Sequence, residues 1–223
     1  MAKDNVVYLC EDGVSFDPKK YIWLFISLLS LSRGPEYRGN LPSFSDILLL
    51  FQQKKLPVPV IEHSLAVAYT AMQFMLWLPV KIRSHMDLSL LVAASLLHDI
   101  ERLQQNHASK GADFVCSRGY SSLAPLIASH MDFVFQRGDV LTEAAILYLA
   151  DKTCKGKQWL KLKERMAESI NAYGNILGIQ HRFASAFAVR QAFVEAVDPR
   201  MISDETNFLW QIIREEEAYL GEM

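Results

Sequence analysis

Met86-Asp-Leu-Ser-Leu-Leu-Val-Ala-Ala-Ser-Leu-Leu-His-Asp-Ile100 is apolar nearly all round a helical wheel and closes on two ionisable residues, His98 and Asp99. A helix without a polar face is one buried in a bundle, so this segment is expected to run through the core. Around it, residues 60–77 place Ile61, Leu65, Ala68 and Met72 on one helical stripe. Further helices are expected at about 108–118, 121–131, 140–154, 158–175 and 180–197, the last ended by Pro199, with a terminal helix near 204–220 that carries Glu215, Glu216 and Glu217. There is no alternating strand pattern and no internal repeat, so the expected fold is all-α. The Gly/Pro/Ser-rich residues 32–43 separate an N-terminal helical element from the rest of the chain, and Pro57 and Pro59 punctuate it again. The division expected is an N-terminal helical extension (1–40), a main domain (41–198) and a C-terminal helix (199–223).

The 223 residues, 51% apolar and 22% charged, suffice for one sizeable core and exclude a disordered or low-complexity chain. A formal net charge of −2 gives no global attraction to a polyanion, which argues against coating DNA or RNA while leaving room for a local basic patch. Cys10, Cys116 and Cys154 are far apart and odd in number, as in a reduced cytosolic protein, and no thiolate zinc site is expected. The apolar run Tyr21 to Leu31 is about half of the roughly 20 residues a membrane span needs. It reads as a buried helix, its aromatic residues being core or dimer contacts. Residues 1–15 carry Asp4, Glu11 and Asp12 without a signal-peptide pattern, so the expected address is the cytoplasm.

A charged carboxylate at the end of so apolar a helix is costly to bury unless it is paired, hydrogen-bonded or bound to metal. The His98-Asp99 doublet alone is weak evidence, but it has company. His63 opens the helix before it, His107 follows Asp99 by eight residues, His130 ends another apolar segment, and Asp151 follows Ile146-Leu-Tyr-Leu-Ala150. Each is a polar group at the edge of expected core. His85 and His181 lack such a setting and read as structural.

These residues resemble the HD-domain superfamily of metal-dependent phosphohydrolases over about 60–155, with a helical continuation to about 198. The resemblance lies in His63 of Glu62-His-Ser-Leu-Ala-Val-Ala68, the doublet of Leu96-Leu-His-Asp-Ile100, and Asp151 of Leu149-Ala-Asp-Lys152. It implies an all-α HD-domain bundle with N- and C-terminal helical extensions in which His63, His98, Asp99 and Asp151 hold a divalent metal. It extends to the two-metal, HDIG-like branch through His107 of Asn106-His-Ala-Ser-Lys-Gly-Ala112 and His130 of Ile127-Ala-Ser-His130, with Asp99 bridging the ions. This branch includes symmetrical dinucleoside tetraphosphate hydrolases, although the Asp99 to His107 spacing is shorter here. Many relatives carry Gly then Lys after His-Asp-Ile, where this chain has Glu101 and Arg102.

Imidazole and carboxylate donors suit one or two divalent transition ions without distinguishing Mn, Fe, Co, Ni and Zn. Such ions lower the pKa of water and neutralise phosphoryl charge. A cationic clamp is available in residues 151–165, where six basic residues face two acidic ones. The catalytic set expected is Asp99, Lys152 and Arg102, with Lys110 and Lys155 binding substrate. The function implied is hydrolysis of a phosphomonoester or phosphoanhydride of a small molecule, foremost a nucleotide, with a homodimer left open. The alternative is a catalytically silent HD-fold module that binds a nucleotide for regulation, and Glu101 keeps it open.

Overall fold

The fold is taken from a computed structural model that describes residues 9–10, 13–14, 17–31, 40–174, 176–203 and 206–214. Asp87 starts the central helix, α5 (Leu88–Leu97), by accepting the Leu90 N–H at its Oδ1. From Leu91 to Leu97 every residue of α5 is buried. Its Leu and Val side chains each contribute roughly 1.5–3 kcal/mol of burial. The walls around α5 are α3 (Val58–Trp77), α7 (Ala124–Ser129) and α8 (Glu143–Thr153).

Helix α3 begins with Pro57 as its N-cap and Pro59 in its first turn, where a missing N–H costs nothing. It is buried continuously from Ser64 to Met72. The single stripe read from the sequence understates this, because α1 (Pro18–Leu31) covers a further side of α3. Helix α2 (Phe44–Gln53) opens with a capping box between Ser43 and Asp46. Phe25 and Leu29 of α1 and Phe44, Ile47 and Phe51 of α2 join the same core as α3, α5 and α8.

Helix α4 (Val80–Arg83) connects α3 to α5, and α6 (His107–Ser117) packs on α7. Helices α9 (Leu162–Tyr173) and α10 (Leu177–Ala196) pack against α8, and α11 (Asn207–Arg214) docks on α10. Inside α10, Arg190 is buried and donates from Nε and Nη2 to the Ile213 and Arg214 carbonyls at 2.6 and 2.9 Å. It thereby caps the C-terminal carbonyls of α11.

The architecture is the all-α bundle expected. Two antiparallel hairpins interrupt it, β1 (Leu9–Cys10) with β2 (Gly13–Val14) and β3 (Cys154–Lys155) with β4 (Gln158–Trp159). The second changes the expected segmentation. The helix expected to 154 stops at Thr153, Gly156 turns the chain at φ 56°, and the next helix starts at Leu162 rather than 158. Two-residue strands have no periodicity for a sequence pattern to reveal. Most of the 32–43 linker and Glu215, Glu216 and Glu217 lie outside the described residues. No helix among the described residues is long and apolar enough to cross a membrane.

Candidate metal centre

His98 follows the last residue of α5 and His130 the last residue of α7, and the two are oriented by the same local device. Each donates from Nδ1 to the carbonyl three residues earlier, His98 to Ser95 at 2.8 Å and His130 to Ile127 at 2.7 Å. That bond fixes the tautomer of the neutral ring and leaves Nε2 as the nitrogen able to coordinate a metal. His63, in the second turn of α3, has its Nδ1 3.4 Å from the Gly156 carbonyl in the β3–β4 turn and its Nε2 3.1 Å from Asp151 Oδ1. His107 opens α6 immediately after Asn106, whose backbone is left-handed at φ 55°, a region Asn tolerates better than most residues. Six side chains from α3, the α5 end, α6, the α7 end and α8 thus converge.

Their donor atoms form two groups that share Asp99. In one, His63, His98 and Asp99 each offer an atom within 4.8 Å of the others; in the other, Asp99, His107 and His130 do so. Asp151 completes the first, its Oδ1 lying 3.6 Å from His98 Nε2. In the second, His107 Nε2 is 3.2 Å from both Asp99 Oδ1 and His130 Nε2. Ligands bound at about 2.1 Å to one ion lie about 3.0–3.4 Å apart, so this group is near coordination spacing, with His130 Nε2 to Asp99 Oδ1 slightly wider at 3.6 Å. Two further facts fit a cation. His98 Nε2 and Asp99 Oδ1 are sealed from solvent and make no aligned hydrogen bond among the described residues, and a buried polar atom is rarely left so. Nitrogen and carboxylate oxygen, with no thiolate, suit a divalent transition ion.

The electrostatics of the cluster without metal agree. Burial pushes the Asp99 carboxyl up, but His98, His107, His130 and Arg102 outweigh it and hold the group well below the ordinary carboxylate range. Burial likewise opposes ionisation of Asp151, and Lys152, His63 and His98 reverse it. His98 is raised: burial lowers it, yet Asp99, Asp151 and the Ser95 carbonyl prevail. His130 is lowered, mainly by burial. The two buried carboxylates therefore stay charged and attract cations, Lys152 at Asp151 being one, and they favour the protonated form of His98.

The surrounding cations divide differently from their order in the sequence. The Lys152 ammonium is buried and donates to Asp151 Oδ2 at 2.6 Å and to the His130 carbonyl at 3.2 Å, so it is a counter-ion inside the cluster and not an open phosphate contact. Arg102 lies at the mouth, Nη1 3.6 Å from Asp99 Oδ1 and 3.4 Å from His107 Nε2, with its side chain 47% exposed. Lys155 is drawn to Glu168 at 2.6 Å and Lys157 to Glu62 at 3.2 Å, so much of the basic run is spent on ion pairs. Lys110 reaches Gln104 at 3.4 Å and lines a neighbouring polar cavity. Glu101 is paired with Lys54 and does not enter the cluster. The Cys154 thiol, pushed up to about 12 mainly by burial, is a neutral core group. His181 is exposed, and His85 lies beside a cavity at the opposite end of α5. The carbonyls of Ser95, Ile127 and Gly156 have no side-chain signature, although a His three residues into a helical end is a usable sign for the first two.

Gly111 sets the distance between the second group and the core. A Cβ there would meet Ile127 Cγ2 at 3.1 Å and Ile100 Cγ2 at 3.4 Å, so α6 lies close against α7 and a side chain would require Ile127 to shift by a few tenths of an ångström. Gly111→Ala is expected to lower unfolding free energy by about 1 kcal/mol, the overpacking against Ile127 outweighing the helix propensity that alanine gains, read by urea unfolding. An unchanged midpoint would show that Ile127 swings aside freely.

The family model described as HD domain matches residues 60–156. These residues form an HD domain. The match begins just before His63 and ends just after Asp151, enclosing all six converging side chains. The match places residues 60–156 with the HD-domain superfamily, whose members are generally metal-dependent hydrolases that bind divalent metals. No curated protein and no solved structure matches the chain. In this HD domain, proton and metal compete for His98. Its raised pKa means that the stability gained from the proton is fully present below the ordinary value of 6.5 and is lost as pH rises through the folded value. Metal requires the neutral ring. The rise in thermal midpoint on adding Mn²⁺ is therefore expected to grow from pH 6 to pH 8, and a flat or shrinking increment over that range would remove His98 from the ligand set.

Proposed function

We propose that the chain is a metal-dependent phosphohydrolase of the two-ion HD branch, acting on a phosphomonoester or phosphoanhydride of a small molecule, with a nucleotide as first candidate. The observation that carries this reading is the pair of three-donor groups sharing one buried carboxylate, Asp99. A divalent ion, when bound, supplies Lewis acidity that lowers the pKa of water and offsets phosphoryl charge.

The chain's own residues would do the rest. His63, His98, Asp99 and Asp151 would hold one ion, and Asp99, His107 and His130 a second. Arg102, half exposed at the mouth, would take a non-bridging phosphoryl oxygen by charge-assisted hydrogen bonds. Lys152, already bonded to Asp151 and the His130 carbonyl, would hold the ligand set in place from behind. Lys110 lines a polar cavity of about 500 Å³ with Lys54, Glu101 and Gln104, next to the turn that carries the doublet, and would receive the leaving group. Lys155 could reach substrate only by leaving Glu168. In the same reading residues 41–198 are the phosphohydrolase domain, residues 1–40 and 199–223 its extensions, and the chain is a cytoplasmic enzyme able to form a homodimer.

The alternative, a silent regulatory module, is kept open by Glu101 alone. Its carboxylate is held by Lys54, 47 residues away, and so does not obstruct the cluster. The test is to measure metal in the purified protein and phosphate release from a panel of nucleotides and sugar phosphates. Metal content near zero, together with Asp99→Ala matching the unaltered protein on every substrate, would remove the enzyme reading. Tight nucleotide binding without turnover would instead support the module.

A further inference from the structure

A cleft of about 870 Å³ lies at the opposite end of the bundle from the metal centre. It is lined by the end of α3, the link into α5 and the first residue of α8. By helical rise, Met75 is about 18 Å along α3 from His63, Leu88 about 15 Å along α5 from His98, and Glu143 about 12 Å along α8 from Asp151. A ligand in the cleft makes no contact with the cluster. Its volume falls within the range of small-molecule sites.

The lining combines an adaptable apolar floor with separated charges of both signs. Met75, Met86 and Leu90 supply the floor, and methionine fits itself to irregular ligands. Arg83 stands on the rim with His85 exposed beside it, and its guanidinium makes only a long 3.5 Å contact to the Leu76 carbonyl. Among the described residues it meets no carboxylate, although Asp87 and Glu143 line the same cleft. Those two acids each use one oxygen on a backbone N–H, Asp87 on Leu90 and Glu143 on Asp87, which fixes them in place. Positive and negative groups that share a cleft without pairing across it suit a ligand that carries both charges.

We propose that this cleft is a second binding site, for a small amphipathic zwitterion of which an apolar α-amino acid is the simplest. The ligand's carboxylate lies on Arg83, its ammonium faces Glu143 and Asp87, and its side chain covers Met75, Met86 and Leu90. The experiment is calorimetric titration of the full chain with L-phenylalanine, N-acetylphenylalanine and phenylalaninamide. Saturable binding of one phenylalanine per chain is expected, with each derivative weaker by at least about tenfold, since each loses one charge-assisted contact. Arg83→Gln is expected to weaken phenylalanine to the same degree, and Asp99→Ala to leave its binding unchanged, which separates this site from the metal centre. Absence of saturable phenylalanine binding, or derivatives that bind as well as the parent, overturns the proposal. The two derivatives decide it on the unaltered protein should Arg83→Gln fail to fold.

Discussion

Asp99→Asn, on the two-ion reading proposed above, is expected to empty both halves of the metal centre at once and to lower phosphohydrolase turnover by about three orders of magnitude or more. The reason is position. Among the described residues Asp99 is the only side chain common to both three-donor groups, with Oδ1 near His107 and His130 and Oδ2 3.7 Å from His98. The amide keeps the shape and removes the charge that attracts the ions. His130→Ala, by contrast, touches one group and should leave one ion bound. The measurements are metal content per chain by mass spectrometry and kcat on the best substrate of the panel. Asp99→Asn that retains full metal content and turns over within tenfold of the unaltered protein would sink the shared-ligand arrangement. The ionised Asp99 adds stability that is present above its ordinary carboxylate pKa and lost as pH falls toward the depressed folded value, so at neutral pH the variant gives this up. A thermal midpoint above the assay temperature must therefore accompany the kinetic result.

Lys152→Met should produce the largest stability change, and one that metal partly repairs. The ammonium is buried and 2.6 Å from a buried carboxylate, and removing one partner of such a pair costs about 3–5 kcal/mol because the other is left charged in the interior. In chelator, urea unfolding of the variant should show that loss. With saturating Mn²⁺ the deficit should shrink, because an ion held by Asp151 takes over the neutralisation. Were Lys152 instead a phosphate contact, the substitution would leave unfolding unchanged and raise KM alone.

The order His63, His98-Asp99, His107, His130, Asp151 was legible in the sequence because each residue sits where an apolar segment ends, and helix ends on one side of a bundle meet in space. The bundle itself followed from the absence of any polar face in residues 88–97. The roles of the lysines did not follow. Lys155 and Lys157 look alike in a basic run, yet their partners Glu168 and Glu62 are separated from them by 13 and 95 residues, and no local pattern encodes the second pairing. Lys54 with Glu101 is the same case. Arg190 was hidden for another reason. An arginine in a helix of mixed polarity reads as solvent-facing, and only the docking of α11 turns it inward onto two carbonyls. The β3–β4 hairpin was too short for periodicity, although Gly156 marked a turn.

The contact between His63 and Asp151 joins residues 88 apart in the chain. Three of the four groups proposed for the first ion are in place once α3 and α5 have paired, but the fourth arrives only when α8 docks. Closing a loop of that span costs conformational entropy before the contact can offset it. A nascent chain that has emerged only as far as α7 therefore holds an incomplete ligand set. Full metal affinity then becomes a report that α8 has docked on α3 and α5, and free metal would act on that step and not on the pairing of α3 with α5.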